Sequence, residues 1–205
     1  MERKNKPAFL PVSPSLPQPA VEVSGQTVTA RLPSHDAVTV HLYGATVTSW
    51  TTSDSTERLW LSEKAVLDGS KAVRGGIPVV FPVFGPPPKD HATGGLPQHG
   101  FARTSTWEFL GKNTSESASA RADDTVKLDF GLSSSMLDGK NRNAWPYEFG
   151  LVYCVTLGKG SLETTMHVQN NGSQTFDFHC LFHTYLRIEV AIPPFLEMRA
   201  HRSLT

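Results

Sequence analysis

Apolar residues in this chain recur at every second position far more clearly than at every third or fourth. Val38, Val40 and Leu42 alternate with Thr39, His41 and Tyr43, the period of a strand with one face buried. The β signal begins at about residue 21. Gly44 interrupts the run, residues 45–50 resume it, and 58–61 read as a short strand carrying Trp60. Residues 77–84 are almost continuously apolar, as in a strand covered on both faces. Strands are predicted at 107–110, 125–132 and 149–157. Gly158-Lys159-Gly160 turns the chain into 161–169, where Leu162, Thr164, Met166 and Val168 alternate with Glu163, Thr165 and His167. Asn170-Asn171-Gly172 is a hairpin signal, and 176–186 read as the last strand.

No segment carries a convincing amphipathic helix, since the candidates at 62–67 and 117–122 are short. Closely spaced strands with turn residues between them predict an all-β chain, an antiparallel sandwich or barrel. Pro7, Pro11, Pro14, Pro17 and Pro19 make residues 1–20 an extended arm that cannot pair in a sheet. After Arg187 the alternation fades, and Pro193-Pro194 stops any strand. The expected organisation is an arm at 1–20, a β domain at 21–187 and a divergent tail at 188–205.

Composition narrows the function classes. With Lys+Arg and Asp+Glu at 19 each, no overall basic field exists to draw nucleic acid or an anionic membrane. No apolar run of about 18 residues is present, so no transmembrane helix is expected. The proline-broken N-terminus lacks the apolar core of a secretory signal, which points to a cytoplasmic protein. The two cysteines, Cys154 and Cys180, have no metal-ligand spacing and read as reduced, buried thiols.

The candidate chemistry lies in two places. Residues 71–103 read KAVRGGIPVVFPVFGPPPKDHATGGLPQHGFAR. Arg74 stands beside Gly75-Gly76, and Gln98, His99 and Arg103 fall within six residues. Two guanidinium groups, a carboxamide and an imidazole around Gly/Pro-rich turns suit an anionic, hydroxyl-rich small molecule. The planar fork of arginine matches phosphate, and Gly75 and Gly76 would let backbone approach a ligand closely. For an isolated arginine the plain alternative is a surface ion pair. In the last strand, period two puts Asp177, His179, Leu181, His183 and Tyr185 on one face, opposite Phe176, Phe178, Cys180 and Phe182. The plain alternative is a solvated outer strand. His179 and His183 would lie roughly 13 Å apart along such a strand, too far to share a metal. No phosphate-cradling or dinucleotide-binding motif is present.

The segments KAVRGGIPVVFPVFG, LPQHGFAR and LFHTYL (residues 181–186) resemble the hexose-6-phosphate mutarotases, or glucose-6-phosphate 1-epimerases, of the aldose 1-epimerase (galactose mutarotase-like) group. The resemblance spans about residues 21–187. It implies an antiparallel β-sandwich of the super-sandwich type and interconversion of the α and β anomers of a hexose 6-phosphate, without metal or cofactor. The expected partner is that small molecule, with no nucleic acid or membrane, and the expected state is a monomer. Such an enzyme opens the hemiacetal with an acid and a base held across the anomeric centre. The resemblance makes His183 the general acid on the ring oxygen, a role suited to a group that titrates near neutrality. Arg74, Gln98 and Arg103 become substrate contacts, with His99 touching sugar hydroxyls. Family members continue beyond this span with strands that carry an aspartate and the general-base glutamate. The sequence after Arg187 departs from that pattern, and neither Glu189 nor Glu197 is assigned as the base. The expectation is therefore a C-terminally truncated member with an incomplete sandwich. Losing a general base costs on the order of 10²–10⁴-fold in rate. A phosphosugar-binding fragment without turnover is the main alternative, and a generic β-sandwich interaction module the third.

Overall fold

The computed structural model describes residues 18–114 and 125–188. The arm up to residue 17, the candidate helix at 117–122 and the tail from 189 lie outside the described residues. Strands β1 (Ala20–Ser24), β2 (Thr27–Arg31), β3 (Ala37–His41) and β4 (Thr46–Thr51) form an antiparallel meander in chain order. A two-residue strand, β5 (Val79–Val80), follows. The second meander is β6 (Glu108–Thr114), β7 (Thr125–Ser133), β8 (Phe149–Gly158) and β9 (Ser161–Asn170). The last element, β10 (Leu181–Phe182), returns to pair with β5.

Alternation decides how the sheets pack. In β7, Val126, Leu128, Phe130 and Leu132 are buried, and in β8 Leu151, Tyr153, Val155 and Leu157 lie opposite them in register. The buried face of the first meander presents Val28, Ala30, Val38, Val40 and Val47. These side chains join Phe81, Phe101, Trp107 and Trp145 in one continuous core. Each large side chain buried there contributes about 1.5–3 kcal/mol. Cys154 is buried and Cys180 half-buried, both as free thiols. Burial, followed by the Asp129 carboxylate, pushes the Cys154 thiol up to about 11.

Four sequence expectations need correction. Residues 58–61 form no regular strand, only isolated bridges from Leu59 to Leu186 and from Leu61 to Gly75. The segment 176–186 is extended, but only Leu181–Phe182 form a regular strand, with an isolated bridge from Leu186 to Leu59. Its amides at His179, His183 and Tyr185 donate to the carbonyls of Pro82, Pro78 and Gly76. Pro78 and Pro82 have no N–H to return, so the ladder forms from one side only. The same prolines shorten the strand read at 77–84 to Val79–Val80.

The turn at Asn170-Asn171-Gly172 exists, closed by Gly172 N–H donating to Asn170 Oδ1 at 2.9 Å. It does not make a hairpin, because the chain leaves β9 and crosses to β5. A short helix, α1 (Gly139–Ala144), was not foreseen. Its sequence GKNRNA has no apolar period, and its start is fixed by Asp138, whose carboxylate accepts the Asn141 N–H at 2.8 Å.

Candidate active site

Both motif regions are attached to the strand around β5. On one side, the Phe81 carbonyl accepts the N–H groups of Phe101 (3.0 Å) and Ala102 (3.3 Å). Gly100, at φ +71°, sits so close that a Cβ there would run into that carbonyl. On the other side lies the extended segment that contains His183 and Tyr185. Gln98, His99, Arg103 and His183, far apart in sequence, are thereby brought together.

Their geometry is specific. The His99 and His183 rings meet edge to face at 6.1 Å, and His183 stacks on Tyr185 at 4.9 Å and 23°. Tyr185 in turn contacts Trp60 at 5.8 Å, and Phe84 covers His99 at 5.3 Å. His99 has φ +69°. Its N–H donates to the Gly85 carbonyl, and its Nδ1 accepts the Gly85 N–H, both at 3.1 Å. An Nδ1 that accepts a backbone proton puts the ring proton on Nε2 in the neutral form. Burial, then the charges of Arg103 and His183, hold His99 below its ordinary pKa and favour that neutral form. His99 therefore presents an Nε2–H donor.

Arg103 is half-buried and donates to the Gln98 backbone carbonyl at 2.9 Å, while its Nε is enclosed without a partner among the described residues. Burial lowers its pKa from the ordinary value, partly offset by Tyr185. Ion pairs among the described residues are Arg58–Asp54, Lys127–Asp129 and Arg142–Glu148; none involves Arg103 or Arg74. A guanidinium in this setting can receive an anion without first breaking a salt bridge.

Arg74 is placed differently. It is exposed and shares a recess with Trp60, Ser62 and Lys64. No described hydrogen bond joins it to Gln98 or Arg103. Gly75 and Gly76 have a packing role of their own. Their positive φ values (+110° and +68°) serve strand against strand. A Cβ on Gly75 would meet the Trp60 carbonyl at 2.5 Å, and one on Gly76 would run into that of Val47. Asp177 and His179 line a separate cleft of about 230 Å³ with Pro82, Pro88, His91 and Phe178. His179 Nδ1 is occupied by the Phe84 N–H at 3.2 Å. Among the described residues no cluster of three or more His, Cys, Asp or Glu side chains could hold a metal ion.

Sequence reasoning assigned no role to Tyr185, Trp60 or Phe84, which form the aromatic wall around the two histidines. Tyr185 was detectable as the residue two positions beyond His183 on the same strand face. Trp60 and Phe84 come from other segments and carried no comparable signal.

Two antiparallel meanders thus flank a short central strand, beside which lie two neighbouring imidazoles and an arginine without an acidic partner among the described residues. A Synechocystis protein of known structure matches with a TM-score of 0.62 and 30% identity, over 84% of this chain and 55% of its own. A Salmonella typhimurium structure, described as a "putative mutarotase", matches with a TM-score of 0.58 and 28% identity, over 75% of this chain and 48% of its own. The aldose 1-epimerase family model matches residues 26–197, and the chain belongs to that family. Similar proteins from Cenchrus ciliaris and Escherichia coli K12, each named "Putative glucose-6-phosphate 1-epimerase", are 34% identical over 151 and 147 residues. Those alignments take in 71% and 72% of this chain but only 42% and 44% of the relatives. The chain thus spans less than half their length. No helix among the described residues is long and apolar enough to cross a membrane.

Proposed function

We propose that this chain supplies the phosphate-holding and ring-oxygen-protonating side of a hexose-6-phosphate 1-epimerase site, with glucose 6-phosphate the representative substrate. The observation that carries this reading is Arg103: half-buried, without an acidic partner among the described residues, and next to the His99–His183 pair. The guanidinium takes the anion, with Arg74 on the flank as a second cation and the Gln98 carboxamide beside it. His99 donates Nε2–H to a sugar hydroxyl. His183, held against Tyr185, gives a proton to the ring oxygen as a base removes the C1 hydroxyl proton. The C1–O5 bond opens to the aldehyde, C1 rotates, and closure on the other face returns both protons. A cytoplasmic setting accompanies this reading.

A second reading is binding of a phosphosugar without turnover, for which Arg103, half-buried and without an acidic partner among the described residues, would suffice. NMR exchange between the anomers of glucose 6-phosphate separates the two. Exchange above the spontaneous rate that disappears in His183→Ala supports the epimerase. Saturable glucose 6-phosphate binding without excess exchange selects the second reading. A folded chain showing neither overturns both.

A further inference from the structure

Just past β5, two consecutive backbone amides are each held by an imidazole. The Phe84 N–H donates to His179 Nδ1 at 3.2 Å, and the Gly85 N–H donates to His99 Nδ1 at 3.1 Å. A backbone N–H can only donate, so both ring nitrogens are unprotonated acceptors, and each neutral ring carries its proton on Nε2. Both histidines are also fastened through their own main chain. The His179 N–H donates to the Pro82 carbonyl at 2.8 Å, and the His99 N–H to the Gly85 carbonyl at 3.1 Å. His179 therefore brackets Pro82–Phe84 with a bond at each end, while His99 closes on Gly85 twice.

The two grips are joined through the backbone. The Phe84 and Gly85 amides flank one Cα, and peptide planes are rigid, so the Phe84 dihedral angles alone aim the second amide relative to the first. Gly85, at φ +74°, supplies the left-handed step of this turn. With the Phe84 N–H pinned by His179, the Gly85 N–H stays directed at His99 Nδ1. Without that pin, rotation at Phe84 turns the Gly85 amide away, and His99 can carry its proton on Nδ1 instead. Its Nε2 then accepts where it had donated.

We infer that His179 is a positioning residue for His99: acting through the Phe84–Gly85 turn, it fixes the tautomer that presents Nε2–H to the site. His179 lines the separate cleft with Asp177 and His91, so its influence passes through the turn and not through direct contact with a bound sugar. The effect on a ligand rests on the proposed function; the tautomer does not.

The test is nitrogen NMR of the imidazole rings at neutral pH in the parent chain, His179→Leu and His179→Asn. Circular dichroism verifies folding, and isothermal titration calorimetry reads glucose 6-phosphate binding. The parent should carry the His99 proton on Nε2 alone. In His179→Leu the acceptor is gone. His99 should then populate both tautomers, and the Phe84 amide should lose protection from hydrogen exchange. The Kd for glucose 6-phosphate should rise about 3–10-fold, the scale of one hydrogen bond. In His179→Asn the side-chain carbonyl stands where Nδ1 stood and accepts the same N–H, so all three readings should return to those of the parent. A parent His99 protonated on Nδ1, a tautomer unmoved in folded His179→Leu, or no recovery in His179→Asn would each overturn the inference. A shifted tautomer with an unchanged glucose 6-phosphate Kd would overturn the positioning role. A tautomer that shifts and recovers as expected, in a chain that does not bind glucose 6-phosphate, would support the His179 clamp and overturn the proposed substrate.

Discussion

Asp36 and Gly160 lie 124 positions apart in sequence, yet the Gly160 N–H donates to Asp36 Oδ1 at 2.9 Å. Asp36 is fully buried, and its second oxygen accepts the Ser34 hydroxyl at 2.6 Å. This carboxylate ties the loop between β2 and β3 to the turn between β8 and β9, linking the two meanders at one end of the core. Replacing Asp36 by Ala leaves the Gly160 N–H and the Ser34 hydroxyl unpaired. A loss of about 2–4 kcal/mol is expected from urea unfolding, with Asp36→Asn retaining part of it. Equal stability of Ala and parent would refute the tie.

Gly76 and Gly25 both have positive φ, +68° and +56°, but only Gly76 is crowded. Gly25→Ala meets no atom within 4 Å and should cost about 1–2 kcal/mol for its left-handed backbone. Gly76→Ala adds a collision with the Val47 carbonyl and should cost more than about 3 kcal/mol or prevent folding. Thermal unfolding of the two variants side by side tests the ordering.

Arg103 separates phosphate recognition from sugar recognition under the proposed function. Arg103→Ala should raise the Kd for glucose 6-phosphate by about 10–100-fold, the scale of one or two charge-assisted hydrogen bonds. Binding of unphosphorylated glucose should change little. Arg103→Lys keeps the charge without the planar fork, so an intermediate loss is expected. Isothermal titration calorimetry with both ligands reads the contrast; equal losses for the two would argue against a phosphate contact.

His99 sets a pH dependence whose sign follows from its lowered pKa. Near and below the ordinary value of 6.5, the unfolded chain binds this proton more readily than the folded chain does. Stability therefore falls as pH drops below about 6.5 and is insensitive to this group above it. The urea midpoint of the parent should fall more steeply between pH 7 and 5 than that of His99→Asn, a residue that tolerates the left-handed backbone. An NMR titration of His99 should locate its midpoint below 6.5.

The strands with one buried face were legible from sequence. β7, β8 and β9 follow the two-residue alternation because each packs one side on the shared core, whereas β3 is covered on both faces, with Ala37 and His41 buried as well as Val38 and Val40. Helix α1 was not, since its evidence is the Asp138 cap and not an apolar stripe. The end of the chain was misread as a continuous strand because alternation reports side-chain facing and not whether the neighbouring strand has amides to donate; Pro78 and Pro82 do not. In the site, the motifs marked which residues to watch, and Gln98, His99, Arg103 and His183 do gather. Their arrangement was invisible. That Gly75 and Gly76 accommodate neighbouring backbone, that Gly85 holds His99, and that Arg74 shares a recess with Trp60 are all facts about contacts between distant segments.

The bonds from Phe101 and Ala102 to the Phe81 carbonyl have a consequence for thermodynamics. The turn that carries Gln98, His99 and Arg103 is fastened to the most buried strand of the molecule, and Gly100 leaves no room for another seat. Such a turn has little configurational freedom to surrender when an anion arrives. The ordering entropy of complex formation then falls on the ligand and its released water, not on the polypeptide. Anion capture here would resemble a key entering a cut lock, with the temperature dependence of binding set by solvent rather than by loop closure.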